Sequence, residues 1–193
     1  MIYVSNTSIK FLLKDLNVYK KFTTIRFVHL GLFGFLKFNL MKNPLIVKHA
    51  KGAPGLRFFG IGANFKPNKG IRKLSKLLND NTYWANKRTK KDLKKMLGKS
   101  QVIISIWDSN QMIGFGRATS DEMYRAVLWD VVVDKKYQNR GLGKKIVKAI
   151  LQDPLISKVE KIYLMTTNCE GFYFNMGFSK VEKQNLMMLH NRK

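Results

Sequence analysis

The spacing of apolar residues changes near residue 100. Before it, Ile71, Leu74 and Leu78 recur at a helical period, and Leu93, Met96 and Leu97 do so again, so two amphipathic helices are expected. TKKD (89–92) heads the second. There the Thr89 hydroxyl can accept from a free backbone N–H and Asp92 can reach back, as in a capping box. Gly98 is placed to end that helix. Between KGAPG (51–55) and KPNKG (66–70), LRFFGI (56–61) predicts a short strand among loops. From residue 101 the period falls to two. VIISIW (102–107) and MIGFGRA (112–118) predict a hairpin across DSNQ (108–111), and YRAVLWDVVVD (124–134) predicts a long strand after the loop TSDEM (119–123). A helix is expected over 141–152, a strand at KIYLMT (161–166), a short helix at CEGFYFNM (169–176) closed by Gly177, and a last strand at NLMML (185–189). The order helix, helix, β, β, β, α, β, α, β gives an α/β (α+β) fold. Its twisted sheet is mixed and mostly antiparallel, with flanking helices and one strand–helix–strand crossover.

Composition narrows the function classes. The single cysteine, Cys169, excludes an intramolecular disulfide and fits a reducing compartment. His29, His49 and His190 are scattered and show no metal-ligand spacing, so no metal is expected. The net charge is +24, and it is uneven: residues 1–100 hold 22 Lys and Arg against three Asp and Glu, and residues 101–193 hold 14 against nine. Contact of residues 1–100 with nucleic acid or an anionic surface is one reading of this excess, and a lysine-rich solvated surface is the other. The apolar run FVHLGLFGFL (27–36) is half of the roughly 20 residues needed to span a bilayer, so no transmembrane segment is expected. Residues 1–55 are expected to be a basic extension of unassigned role, and residues 56–193 a single folded domain.

QNRGLGKK (138–145) lies where the long strand hands over to a helix. A helix start has unpaired N–H groups and a partial positive charge, so it attracts an anion. In Gln138–Asn139–Arg140–Gly141–Leu142–Gly143 the glycines remove side chains where a phosphate would approach, and they permit a left-handed turn. Arg140, Lys144 and Lys145 can add charge-assisted contacts. The loop is neither a dinucleotide fingerprint, since residue 146 is Ile, nor a Walker loop.

Q-x-x-G-x-G after a hydrophobic strand resembles the pyrophosphate loop of the GCN5-related N-acetyltransferases (GNAT). FYFNMGF (172–178) is similar to the F-Y-x-x-x-G-F signature of the same family. GFGRATSD (114–121), LWDVVVDKKYQNRGLGKK (128–145) and IYLMTT (162–167) look most like its plastid and cyanobacterial branch. The resemblance covers about residues 70–190. It implies a GNAT-type sheet and acetyl transfer from acetyl-coenzyme A, a co-substrate and not a permanently bound cofactor. The acceptor it implies is a primary amine: a small aromatic amine such as serotonin, a protein lysine or a protein N-terminus. It also implies a plastid stromal location, or alternatively a bacterial cytoplasm, and a monomer or homodimer.

The family's chemistry assigns roles to residues of this chain. The strand Trp129–Val133 would bulge and splay, so that backbone groups around Val131, Val132 and Val133 pair with the pantetheine amides. An N–H near Val132 would serve the developing oxyanion. Gln138, Asn139, Arg140, Gly141, Leu142, Gly143 and Lys144 would hold the diphosphate, and Lys135, Lys136 or Lys144 the 3′-phosphate. Thr166 and Thr167 would line the cleft, and Asn168 would hydrogen-bond the pantetheine arm or could equally cap the next helix. Phe172 and Tyr173 belong to the site. Tyr173 would protonate the departing thiolate, or else be a core aromatic. Asp130 would be the base, or else pair with Arg117 or Arg125. Asp121 and Glu122 are further candidates, and a water chain could replace a dedicated base. No histidine accompanies Cys169, so transfer in a ternary complex is expected over an acyl-cysteine. The competing function is a catalytically weak, basic protein of the same fold that binds RNA or the ribosome.

Overall fold

The computed structural model describes residues 44–63 and 66–189, all within the second of the chain's two units, Met41–Lys193. The apolar run 27–36, His29, His190 and most of the expected extension 1–55 lie outside the described residues.

Three helices, α1 (Pro54–Phe59), α2 (Gly70–Asn81) and α3 (Lys90–Gly98), precede most of the sheet. The strands are β1 (Leu45–His49), β2 (Val102–Asp108), β3 (Gln111–Ser120), β4 (Arg125–Val133) and β5 (Lys161–Tyr163), ordered β1-β2-β3-β4-β5. The first four are antiparallel neighbours. β5 runs parallel to β4 because α4 (Leu142–Leu151) supplies the crossover between them. Two short helices, α5 (Pro154–Ser157) and α6 (Glu170–Phe174), flank β5 in sequence. The mixed, mostly antiparallel sheet is the one expected. No described helix is long and apolar enough to cross a membrane.

Two cores lie on opposite faces of the sheet. Leu74, Leu77, Leu93 and Leu97 of α2 and α3 pack with Ile103, Trp107, Phe115 and Val132. On the other face Leu142, Ile146, Val147 and Ile150 of α4 pack with Ile104, Ile106, Ala118 and Leu128. β2 is therefore covered on both sides, and Val102–Trp107 are all buried. Seating α4 this closely requires two glycines of β3: a Cβ on Gly116 would overlap Ile146 Cγ2, and one on Gly114 would lie 3.2 Å from Ile146 Cδ1. The Thr89 cap of α3 forms, its Oγ1 accepting from the Asp92 N–H at 3.1 Å and donating to Asp92 Oδ2 at 2.7 Å.

Three expectations are corrected. Residues 56–61 are not a strand. Pro54 opens a helix after the left-handed Ala53, Leu56 is its buried anchor, and left-handed Gly60 ends it, so Phe58 and Phe59 are left exposed. Residues 185–189 form no strand either. From Ser179 the chain lines the same two cavities as Ile162 and Tyr163 of β5 without pairing to it, and Leu186–Leu189 are exposed. Finally, the strand expected over 161–166 stops at Tyr163, because only Arg125–Val127 of β4 pair with it. β1 was not foreseen. It draws residues N-terminal to the expected boundary at 55 into the sheet, in register with Ile103–Trp107.

His49 of β1 holds Ser105 Oγ through Nε2 at 2.8 Å, and the same oxygen accepts from Trp107 Nε1 at 2.7 Å. Burial lowers the imidazole from 6.5 to about 4. The folded state thus favours the neutral ring, and the unfolded chain takes up the proton first. Stability from this site is whole above pH 6.5 and falls as pH drops toward 4. In urea titrations the difference between wild type and His49→Gln should change across that window and stay flat above it. Gly116→Ala should cost about 1–3 kcal/mol in the same assay, from the overlap with Ile146.

Candidate active site

One extra residue in β4 shapes the centre of the molecule. Phe115 is paired with Val132 and Arg117 with Trp129, so Gly116 alone faces both Asp130 and Val131. Asp130 takes φ +51 to make this bulge. The bulge exchanges the faces of the strand. Ala126 and Leu128 lie in the α4 core, whereas Val132 lies in the opposite core and Val131 and Val133 lean on α4. Past Val127, β4 has no β5 partner, so the two strands part. Asp134 N–H donates to the Ile113 carbonyl at 2.8 Å. By antiparallel alternation, the backbone groups of Val132 turn toward β3 and those of Val133 toward the open side. Gln138 Nε2 meets the Val133 carbonyl there at 3.1 Å.

The loop after β4 is held from three directions. Asp134 caps a 3₁₀ turn, Lys135–Tyr137, and its carboxylate also accepts from Gln111 Nε2. The Lys135 N–H donates to Asn81 Oδ1 at the end of α2, and the Tyr137 hydroxyl donates to Asp108 at 2.8 Å. The Arg140 guanidinium lies over the Tyr137 ring. Asn139 (φ +59) and Gly141 (φ +72) then turn the chain left-handed into α4. Gly141 is the N-cap and offers no side-chain cap, and a Cβ on it would meet only open space. The first intrahelical donor is Lys145, to the Gly141 carbonyl. Among the described residues none accepts from the N–H groups of Leu142, Gly143 and Lys144. Arg140, Lys144 and Lys145 are exposed around them.

Phe172 joins this loop to α6: its ring lies 3.4 Å from where a Gly143 Cβ would stand. Tyr173 follows, edge-on to Phe172 and to Phe178. Burial, and then the neighbouring Cys169, push the Tyr173 phenol up to about 12. Tyr173 also lines a cavity of about 670 Å³, with Val127, Trp129, Tyr163, Thr166 and Phe174. A larger hollow of about 870 Å³ beside Leu151 and Ser179–Gln184 contains none of the expected site residues.

The other expected residues separate. The Asp130 carboxylate accepts from Arg117 Nε at 2.7 Å and from Arg88 Nη1 at 3.0 Å, so the pairing with Arg117 is the one that forms, while Arg125 pairs with Glu160. Asp121 accepts from three backbone N–H groups in its own turn, which hold its carboxyl below the usual range, and Glu122 pairs with Lys51. Asn168 does not cap α6. Cys169 stands at the N-cap, and its N–H donates to Thr166 Oγ1 at 3.2 Å. Thr167 shares a 2.7 Å hydrogen bond with the Tyr83 hydroxyl, which bridges the α2–α3 connection to the β5–α6 connection. No local signal marks Arg88 or Tyr83: the first sits in the cation-rich run NKRTKK and the second in a loop. Among the described residues no group of three or more His, Cys, Asp and Glu could hold a metal ion.

The model of the acetyltransferase (GNAT) domain matches residues 99–180, which hold the bulge, the loop and α6. N-acetyltransferase ycf52 of Pyropia yezoensis is 33% identical over 130 residues, 65% of this chain and 74% of that protein. The chloroplastic GCN5-related N-acetyltransferase 2 of Arabidopsis thaliana is 41% identical over 69 residues, a match that spans only 27% of its length. Among solved structures, a GNAT-family protein from Xanthomonas campestris superposes with a TM-score of 0.58 at 21% identity, covering 77% of this chain and 94% of that one. A GNAT-family acetyltransferase from Streptococcus pneumoniae gives 0.58 at 21%, covering 78% and 99%. These two show the fold. With the matched domain carrying the parted strands and the bare helix start, and a relative matched over nearly three quarters of its length, the chain belongs to the GNAT acetyltransferase family.

Proposed function

We propose that this acetyltransferase moves an acetyl group from acetyl-coenzyme A to a primary amine within a ternary complex. The observation that carries the reading is the parting of β4 from β5 beyond Val127, directly before a helix start with three unpaired N–H groups. A pantetheine arm is strand-like and carries amides, so it can pair with the open edge of β4. A diphosphate suits the amides of Leu142, Gly143 and Lys144, with Arg140, Lys144 and Lys145 close by.

In the reaction the neutral amine attacks the thioester carbonyl carbon, a tetrahedral oxyanion forms, and the C–S bond then breaks. A backbone N–H on the open side of β4, such as that of Val133, is the oxyanion donor in this reading, and one such donor is worth about 3 kcal/mol. Tyr173 gives its phenolic proton to sulfur as the bond breaks and regains one from solvent, while the proton lost by nitrogen passes to water. The aromatic lining of the cavity (Trp129, Tyr163, Phe174) supports a small aromatic amine as acceptor over a polar one. The chloroplast relatives support a plastid location.

Tyr173→Phe should lower kcat by about 10²–10⁴-fold, with acetyl-coenzyme A affinity by calorimetry little changed. Equal losses of rate and thermal stability would instead mark Tyr173 as a packing residue. With the phenol at about 12, Tyr173 stays protonated, so wild-type kcat should show no alkaline fall before the pH nears that value. Gly141→Ala places a side chain at φ +72 in open space. It should cost about 1–2 kcal/mol of stability. It should also weaken acetyl-coenzyme A binding about tenfold. A wild-type protein that neither binds acetyl-coenzyme A nor acetylates any member of an amine panel would end this reading.

A further inference from the structure

We propose that Asp130 is a positioning residue, held by Arg88 and Arg117 so that its carboxylate sets the bulge that opens β4 to the thioester. The proposal rests on the acetyl-transfer reading and deepens it.

The backbone at Asp130 is the first ground. An L-residue at φ +51 is strained, and asparagine and aspartate tolerate that region better than most. Glycine would relieve the strain but could make no side-chain contact. Here the side chain anchors the kink. Oδ2 takes both guanidinium groups, and the carboxylate is 3% exposed, against 11% for Arg117 and 30% for Arg88. A buried carboxylate without such partners would be costly, so the kink and the ion pairs stand or fall together.

Each arginine is anchored in turn, which gives the cluster its reach. Arg117 Nη1 donates to Ser100 Oγ at 3.4 Å, and its guanidinium lies over the Trp129 ring, one residue before the bulge. Ser100 Oγ donates to the Met96 carbonyl at the end of α3. Arg88 also donates to Met96 Sδ, and it immediately precedes Thr89, the cap of α3. The left-handed turn of β4 is thereby tied to β3, to α3 and to the connection that carries Tyr83. A general base needs a carboxylate turned to the amine. This one is spent on two cations on the α2–α3 side of the sheet, where Val132 also points.

The variants Arg88→Ala, Arg88→Lys and Asp130→Asn separate the two roles. Acetyl-coenzyme A affinity is read by calorimetry, and KM and kcat are followed between pH 6 and 10. Arg88→Ala should raise Kd and KM for acetyl-coenzyme A by roughly 10- to 100-fold and leave the shape of the kcat pH profile unchanged. Arg88→Lys should recover part of that loss, and Asp130→Asn should shift Kd in the same direction. Should Asp130→Asn fail to fold, the two Arg88 variants decide, because their side chain is partly exposed. Unchanged Kd and KM in Arg88→Ala overturn the proposal, as does a loss confined to kcat. So does an Asp130→Asn protein that binds acetyl-coenzyme A normally but loses the acidic limb of its profile, which would make Asp130 the base. A wild type that binds and transfers while Arg88→Ala matches it sinks this inference alone. A wild type that neither binds nor transfers sinks the transferase reading and this one with it.

Discussion

Most of the site depends on one extra residue in a sheet. An alternating strand can serve two cores, but it cannot turn positions of like parity to opposite faces unless its register breaks somewhere. Placing both Asp130 and Val131 opposite Gly116 is that break. It sends Leu128 and Val132 to opposite faces, and the parting from β5 begins just before it. Because the residue across from the bulge is a glycine, α4 can approach the sheet there without collision. The strand partner that permits the kink thus also seats the helix whose start forms the other half of the site.

Electrostatics are arranged around the same point. On one face, a buried carboxylate and two arginines hold the kink. On the other, the start of α4 presents backbone dipoles and exposed cations with no acidic side chain in its first turn. An anionic, amide-bearing molecule is matched along its length: hydrogen-bonding edge at one end, positive potential at the other. The neutral, desolvated phenol of Tyr173 stands beside this track and carries a proton without adding charge.

Much of this was legible in the chain. Period-two runs at 102–107, 112–118 and 124–134 became β2, β3 and β4, because each is bounded by turn residues and packs by alternate faces. QNRGLGKK and FYFNMGF fell where a helix start and a short helix were expected, since local rules for glycine and capping govern both. The failures share a cause. LRFF at 56–59 alternates poorly, and its fate was settled by Pro54 and by burial of Leu56, a tertiary contact. NLMML has strand composition, but a strand needs a neighbour at ladder distance, and composition says nothing about that. For Asp130 the residues left a base or a pairing with Arg117 or Arg125 open; Arg117 is the foreseen partner that forms, while the second partner, Arg88, lies 42 positions away. In a segment with so many cations, no local signal sets that one apart.

The contact of Phe172 with Gly143 makes the site a gauge. If the start of α4 seats the diphosphate and Tyr173 protonates the sulfur, as proposed, the two are spaced by one ring lying on one bare backbone position, with Tyr173 next in the chain. On that reading a carrier with a shorter arm would keep its charged end on the helix start or bring its sulfur to the phenol, but not both. Selection by length would then be built into the scaffold before any acceptor arrives, and a residue larger than alanine at position 143 would reset the gauge by pushing the ring, and Tyr173 with it, outward.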